Sequence, residues 1–300
     1  MSQEKVLIVE DEENERTGLA EVVSAWGYRV DTAADGMETL YRAAFEAGIH
    51  VVAANKKPLT LPWEQCEALL AHARRSHRAY HYETTVGASL PVIETLKNLV
   101  RTGDRVHVIE GSLSGTLGYL CGELMKGVPL SEAVRDARTR GFTEPRPQDD
   151  LSGLDAGRKA LILARELGLP LDLADVIVEP FVSREVLGLA DVEGFLAELR
   201  RRDRAIAEQV ARYRDEGKVM RYLARIEPDG NTPKVRVGAL AVDSEHPAFR
   251  LRGSESVVSF TTERYREYPL VVQGAGAGGA VTAAGVLADV LRVAQTLRGR

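Results

Sequence analysis

The chain has 300 residues, 44% of them hydrophobic and 28% charged, with a formal net charge of −5. That length suits one large domain or two smaller ones, and the apolar share is enough for a sizeable core. The acidic balance gives no electrostatic reason to expect nucleic acid or an acidic membrane as partner.

The chain opens with KVLIVEDE, a short apolar run ending in acids, which reads as a buried parallel strand. ENERTGLAEVVSAWG places Leu19, Val22, Val23 and Trp26 at helical spacing, with Gly27 as a stop. YRVDTAAD is a second strand, GMETLYRAAFEAG a second helix ended by Gly48, and IHVVAAN a third strand. Strands and helices alternating at this length predict an α/β fold with a parallel sheet and right-handed crossovers. WEQCEALLAHARRS is a helix and AYHYETT a strand. VGASLPVIETLKNLVRTGD is a glycine loop with Pro91 at a helix start. RVHVIEGSLS is a further strand. The helices SEAVRDARTRG and LDAGRKALILARELG flank the loop FTEPRPQDDLSG. From 180 to 270 the alternation is less regular, with KVRVGALAVD and ESVVSFTTE strand-like.

Four features invite rival readings. The arginines of 199–218 are interleaved with Asp203, Glu208, Asp215 and Glu216, the pattern of a solvated mixed-charge helix face. Residues 270–288 carry no charge but are dense in Gly and Ala, which predicts a buried strand, a glycine turn and a packed helix rather than a membrane span. No signal-like N-terminus and no paired cysteine spacing are present, so Cys66 and Cys121 read as free thiols in a reducing, cytoplasmic setting. His77 and His81 are four apart but run into a strand-like segment, which argues against a helical metal pair.

The densest polar cluster lies in and after FTEPRPQDDLSG. Ser152 and Asp155 have capping-box spacing, Asp155 and Lys159 share a helix face, and Asp149 and Asp150 precede that helix at its positive end. A capped helix with a surface ion pair explains this. So does a site for a small amino acid, which needs carboxylates for an ammonium group and a lysine for a reacting oxygen.

Two resemblances bear on the choice. Residues 4 to about 40, through VLIVEDE and YRVDTAADG, resemble the opening of a response-regulator receiver, where Glu10 and Asp11 would help bind magnesium. The resemblance stops at IHVVAANKK, which has no phosphoacceptor carboxylate. From about residue 30 to 300 the chain resembles homoserine dehydrogenase, above all the form found in bifunctional aspartokinase fusions. VDTAADGMETLYRAAFEAGIHVVAANKKPL, YHYETTVGASLPVIETL, EGSLSGTLGYL, GFTEPRPQDDLSGLDAGRKALILAREL and LVVQGAGAGGAVTAAGVLADVLR carry it.

That resemblance implies a truncated Rossmann-like parallel sheet joined to an α/β catalytic and dimerisation domain. Residues 1–40 would complete the nucleotide-binding part, 41–300 would form the catalytic domain, and 270–300 would return to the first. Without two strands of the full fold, the sheet is still expected to close as one, with a new edge. The implied activity is NAD- or NADP-linked interconversion of homoserine and aspartate 4-semialdehyde, in threonine and methionine synthesis, by a homodimer. Lys159 matches the acid/base lysine and Asp155 the carboxylate that assists it. Glu144, Asp149 and Asp150 match the substrate-binding acids. Lys56 matches a lysine bridging nicotinamide and substrate, and Thr32, Ala33 and Gly278 are further cofactor neighbours. The Glu83 side chain with the carbonyls of Val86, Ala88 and Leu90 matches a monovalent-cation site, such as one for Na+. Arg146, Gln148 and Gly157 stand where the family usually has Asp, Arg and Ala. The family opens with G-x-G-x-x-G after its first strand, where this chain reads VEDEENERTG. The alternative is a catalytically inactive receiver–dehydrogenase fusion acting as an interaction protein.

Overall fold

A computed structural model describes residues 5–9, 13–25, 27, 29–33, 37–228 and 233–298. Glu10, Asp11 and the Ala33 side chain lie outside that description. The backbone divides into two compact units, Met1–Glu94 with Ala277–Arg300, and Thr95–Gly276.

The first unit opens with β1 (Lys5–Val9), α1 (Glu13–Ala25), β2 (Arg29–Ala33) and α2 (Met37–Glu46). It continues through β3 (Val51–Val52), α3 (Trp63–Arg75) and β4 (Tyr80–His81). The predicted stops at Gly27 and Gly48 fall directly after α1 and α2. β1 pairs with β2 in parallel, Lys5 opposite Arg29, and β3 pairs with β4 in parallel, Val51 opposite Tyr80. Among the described residues these are separate two-stranded pairs, not the single sheet expected. β3 is only two residues long, and its neighbouring amides go to the same partner: Val51 N donates to the Ala79 carbonyl and Ala53 N to that of His81.

AYHYETT was expected to be all strand. The strand ends at His81, and Glu83–Thr85 form a 3-10 turn before α4 (Val92–Arg101). The returning helix α11 (Gly279–Arg298) completes this unit. Its Ala283 and Val286 pack with Val23 of α1, against Val30 of β2 and Val52 of β3. A second cluster joins Tyr41 and Phe45 of α2, Val51 of β3 and Leu69 of α3.

The second unit begins with β5 (Val106–Ser112), α5 (Gly115–Lys126), α6 (Leu130–Thr139), α7 (Pro147–Leu151) and α8 (Leu154–Glu166). β6 (Ile177–Val178), α9 (Arg184–Leu187), α10 (Val192–Asp215), β7 (Val219–Glu227) and β8 (Lys234–Val242) follow. β9 (Glu255–Thr262) and β10 (Leu270–Ala275) close it. The strands form one six-stranded sheet in the order β10-β9-β5-β7-β8-β6. Its pairings are antiparallel except β6 with β8. Helices α5, α8 and α10 pack on β7 and β8. The irregular stretch from 180 to 270 thus supplies a long helix and three of the six strands, β7, β8 and β9.

On α10, Arg204 pairs with Glu208 at 2.9 Å and Arg201 with Glu198 at 3.0 Å, while Asp203 accepts the Ser131 amide and hydroxyl at 2.9 and 2.6 Å. Residues 270–288 form β10, the glycine turn and the start of α11; β10 is an edge strand with alternate residues exposed, not the buried strand expected, because the sheet ends there. No helix of the described residues is long and apolar enough to cross a membrane. Cys66 and Cys121 are free and buried. Burial pushes the Cys121 thiol up to about 12, so it is inert as a nucleophile.

Gly157 has a packing reason. A Cβ there would lie 2.7 Å from Cγ2 of Val178 on β6, so α8 sits closer to the sheet than alanine permits. The sequence alone suggests that Gly157→Ala would gain roughly 1 kcal/mol in helix propensity. Overpacking against a β-branched neighbour costs roughly 1–3 kcal/mol. Gly157→Ala is therefore expected to lower stability or leave it unchanged in urea denaturation. A clear gain would show that β6 yields.

Candidate active site

The site is built where α5, α7 and α8 meet. Gly153, at φ 72°, turns the chain from α7 into α8. A side chain there would collide with the Tyr222 hydroxyl, which donates to the Glu179 carbonyl at 2.8 Å. This corner sets the start of α8. The expected capping box does not form, because Gly153 rather than Ser152 occupies the N-cap. Ser152 closes α7 instead, donating from Oγ to the Asp149 carbonyl at 2.6 Å and accepting the Leu154 amide at 3.2 Å.

One turn into α8, the predicted pair is present: Lys159 Nζ lies 2.7 Å from Asp155 Oδ2. Nζ also donates to the Leu113 carbonyl at 2.8 Å, in the turn between β5 and α5. The lysine side chain is 16% exposed and that of Asp155 47%. A backbone carbonyl and a carboxylate thus fix an ammonium that faces inward, on a rigid helix.

Asp150 is half-buried, the least exposed of the expected substrate-binding acids. Its Oδ2 accepts the Glu144 amide at 2.8 Å, and Thr116 Oγ1 of α5 lies 2.9 Å from its Oδ1. Burial raises the Asp150 pKa above the ordinary carboxylate value. The hydrogen bond from the Glu144 amide opposes this, and the negative charges of Asp155 and Asp149 add to it. Glu144 and Asp149 are exposed. Arg146 is exposed at the N-cap of α7, while Gln148 is buried and donates to the Leu189 carbonyl at 3.2 Å. Glu144, Asp149, Asp150, Asp155 and Lys159 therefore fall on one loop and two short helical stretches. Thr116 was not singled out in the sequence. The signal was its place in EGSLSGTLGYL, just after Ser114, which caps α5 through a bond from the Leu117 amide at 3.2 Å.

The remaining predicted residues lie in the first unit. Thr32 is exposed on β2. Lys56 follows β3 in a turn held by Asn55, whose Oδ1 accepts the Lys57 amide at 2.7 Å. Gly278 has φ 113° and open space where a Cβ would stand, just before α11.

Glu83 is buried, and its carboxylate accepts the Ile93 amide at 2.7 Å and the Glu94 amide at 2.9 Å, at the first turn of α4. Its own amide donates to the buried Asp289 of α11 at 3.0 Å, and Arg292 lies 3.7 Å from Oε2. Burial raises the Glu83 pKa and the two amides pull it back. Ala88 holds φ 54° in the following loop, which α11 approaches so closely that a Cβ on Gly285 would meet the Ala88 carbonyl at 3.1 Å. The Leu90 carbonyl accepts the Val92 amide at 2.8 Å. Among the described residues no cluster of three His, Cys, Asp or Glu side chains could hold a metal. Through the Ile93 and Glu94 amides, Glu83 anchors the start of α4. Glu83→Gln sets an amide N–H against a backbone N–H and is expected to cost roughly 1–3 kcal/mol in urea denaturation. An unchanged midpoint would remove Glu83 from this role.

The fold is that of an archaeal dehydrogenase solved in complex with NADPH, from a hyperthermophile, at 18% identity and TM-score 0.69 over 97% of this chain and 98% of that one. A crystal structure of a protein of unknown function from Candida auris is 35% identical, with TM-score 0.82 over 93% of this chain and 80% of that one. A model of the homoserine dehydrogenase family matches residues 91–291. The chain belongs to the homoserine dehydrogenase family. The bifunctional aspartokinase/homoserine dehydrogenase of Haemophilus influenzae is 43% identical over 264 residues, 88% of this chain but 32% of that protein. The chain thus spans about a third of that relative's length. The receiver-like reading of residues 4 to 40 gains no support: the archaeal fold covers nearly the whole chain, N-terminal segment included.

Proposed function

We propose that the protein is a homoserine dehydrogenase, interconverting L-homoserine and L-aspartate 4-semialdehyde with NAD or NADP, in threonine and methionine synthesis. One observation carries this reading: Lys159 is held at 2.7 Å by Asp155 and at 2.8 Å by the Leu113 carbonyl, on the same stretch of chain as the half-buried Asp150.

The bound nicotinamide supplies or accepts the hydride. Lys159 exchanges the proton of the substrate hydroxyl and steadies negative charge on that oxygen. Asp155 orients Lys159. Asp150, with Glu144 and Asp149 around it, holds the amino-acid end of the substrate. Lys56, Thr32, Ala33 and Gly278 would serve as cofactor neighbours. The bare backbone at Gly278 suits the close approach of a flat ring.

A monovalent cation such as Na+ on Glu83, Val86, Ala88 and Leu90 rests on the resemblance. The Glu83 oxygens already accept two amides, so a cation there would share them. The homodimer and the cytoplasmic setting also rest on the resemblance, the latter with the two free thiols.

The test is NADPH oxidation on addition of aspartate semialdehyde, with homoserine identified as product. Turnover that depends on both substrates is expected. NADPH binding without turnover would favour the inactive interaction protein instead.

A further inference from the structure

Thr116 opens α5 with 9% of its surface exposed. Its Oγ1 lies 2.6 Å from the Phe142 carbonyl oxygen and 2.9 Å from Asp150 Oδ1. A hydroxyl has one proton, and a carbonyl has none to give. The shorter contact takes the Thr116 proton, so a hydrogen bond along the longer one needs a proton on Asp150. The carboxyl is already oriented for this. Its Oδ2 accepts the Glu144 amide at 2.8 Å, which leaves Oδ1 as the protonated end.

We propose that Thr116 is a positioning residue that holds a proton on Asp150, and that the amino-acid substrate's ammonium group displaces this proton. In the protonated state Asp150 Oδ1–H donates to Thr116 Oγ1, and Thr116 donates to the Phe142 carbonyl. In the ionised state the proton has gone to water and the Asp150 anion takes the ammonium. The inference rests on the assignment of Asp150 to the amino end of the substrate.

The surroundings agree. Burial disfavours the anion, and negative charge reaches it from Asp155 on α8 and Asp149 on α7. The positive charge of Lys159 is bound to Asp155 and the Leu113 carbonyl. The loop before α7 brings Glu144 and Arg146, both exposed, and α5 brings the Thr116 hydroxyl. The direction of that hydroxyl decides the sign. Turned to Asp150, its proton would lower the carboxyl pKa. Turned to Phe142, it leaves an acceptor that raises it.

The experiment is a pH titration of the substrate-free full chain carrying carbon-13 at aspartate carboxyls, with Asp150→Asn used for assignment. Asp150 is expected to titrate above the ordinary carboxylate value, and a value at or below it overturns the proposal without any variant. Thr116→Val is expected to move the midpoint down by about one pH unit, since the neutral acid loses its acceptor. Thr116→Ser should restore it. An unmoved or higher midpoint in Thr116→Val makes the threonine a donor and overturns the proposal. In the enzyme assay, KM for homoserine should rise as pH falls through that midpoint, with kcat at saturation following a different profile. A KM profile indifferent to Thr116→Val overturns the link to substrate. The titration needs no turnover, so an inactive chain counts against the dehydrogenase reading and not against the proton on Asp150.

Discussion

Lys159→Ala is expected to reduce turnover at least about a hundredfold, the usual contribution of a positioned acid or base. The fold should survive. Lys159 is not part of the apolar core, and its removal leaves an Asp155 carboxylate that is nearly half exposed and stays hydrated. The Leu113 carbonyl loses one donor. That costs roughly 1–3 kcal/mol if water does not replace it. Circular dichroism and a urea midpoint therefore accompany the assay. Asp155→Asn is expected to lose less rate, because the Leu113 carbonyl still holds the ammonium. A Lys159→Ala protein with unchanged turnover would remove Lys159 from the mechanism.

NADPH binding is expected to be weak, with a raised Michaelis constant for the cofactor and partial rescue by magnesium. After KVLIV the sequence reads Glu10-Asp11-Glu12 where the family places glycines that offer backbone N–H groups to the pyrophosphate. A hydrogen bond to a charged group is worth roughly 1.5–3 kcal/mol. Losing two costs about 3–6 kcal/mol, or about a hundredfold to tens of thousands in affinity. Glu10 and Asp11 add negative charge where phosphates would lie, and a divalent cation would bridge it. Grafting a strand–GxGxxG–helix–strand segment in place of residues 1–30 should restore tight binding. Low-micromolar NADPH affinity of the chain as it stands, without added metal, would overturn this account. The two predictions separate cleanly: the first reads chemistry at saturating cofactor, the second reads cofactor binding with no substrate present.

Glu10, Asp11 and Glu12 lie outside the described residues, and their effect on the cofactor follows from the amino-acid string alone. Lys159 is set by string and fold together. Spacing alone placed Asp155 and Lys159 on one helical face, because residues four apart must meet there. Spacing could not supply the Leu113 carbonyl, 46 residues away, which makes the pair more than a surface ion pair.

What the sequence determined by itself is local. Helix stops at Gly27 and Gly48, the strand–turn–helix of 270–298, the mixed-charge face of α10 and the Asp155–Lys159 pair all follow from contacts within a turn or two of chain. What only the tertiary structure decided depends on distant partners. YHYETT became a short strand and a turn because Glu83 sends its carboxylate to α4 and its amide to Asp289, 206 residues on. Ser152 lost the N-cap to Gly153 because Tyr222, on a strand some seventy residues later, occupies the space a side chain would need. Gly157 looked like a weak point in a helix and is the close contact with Val178 that seats it. Thr116 gained its place beside Asp150 across 34 residues. Propensity and periodicity act over one turn of chain, whereas packing density and buried hydrogen bonds are settled only when remote segments share a volume too small for a misplaced atom.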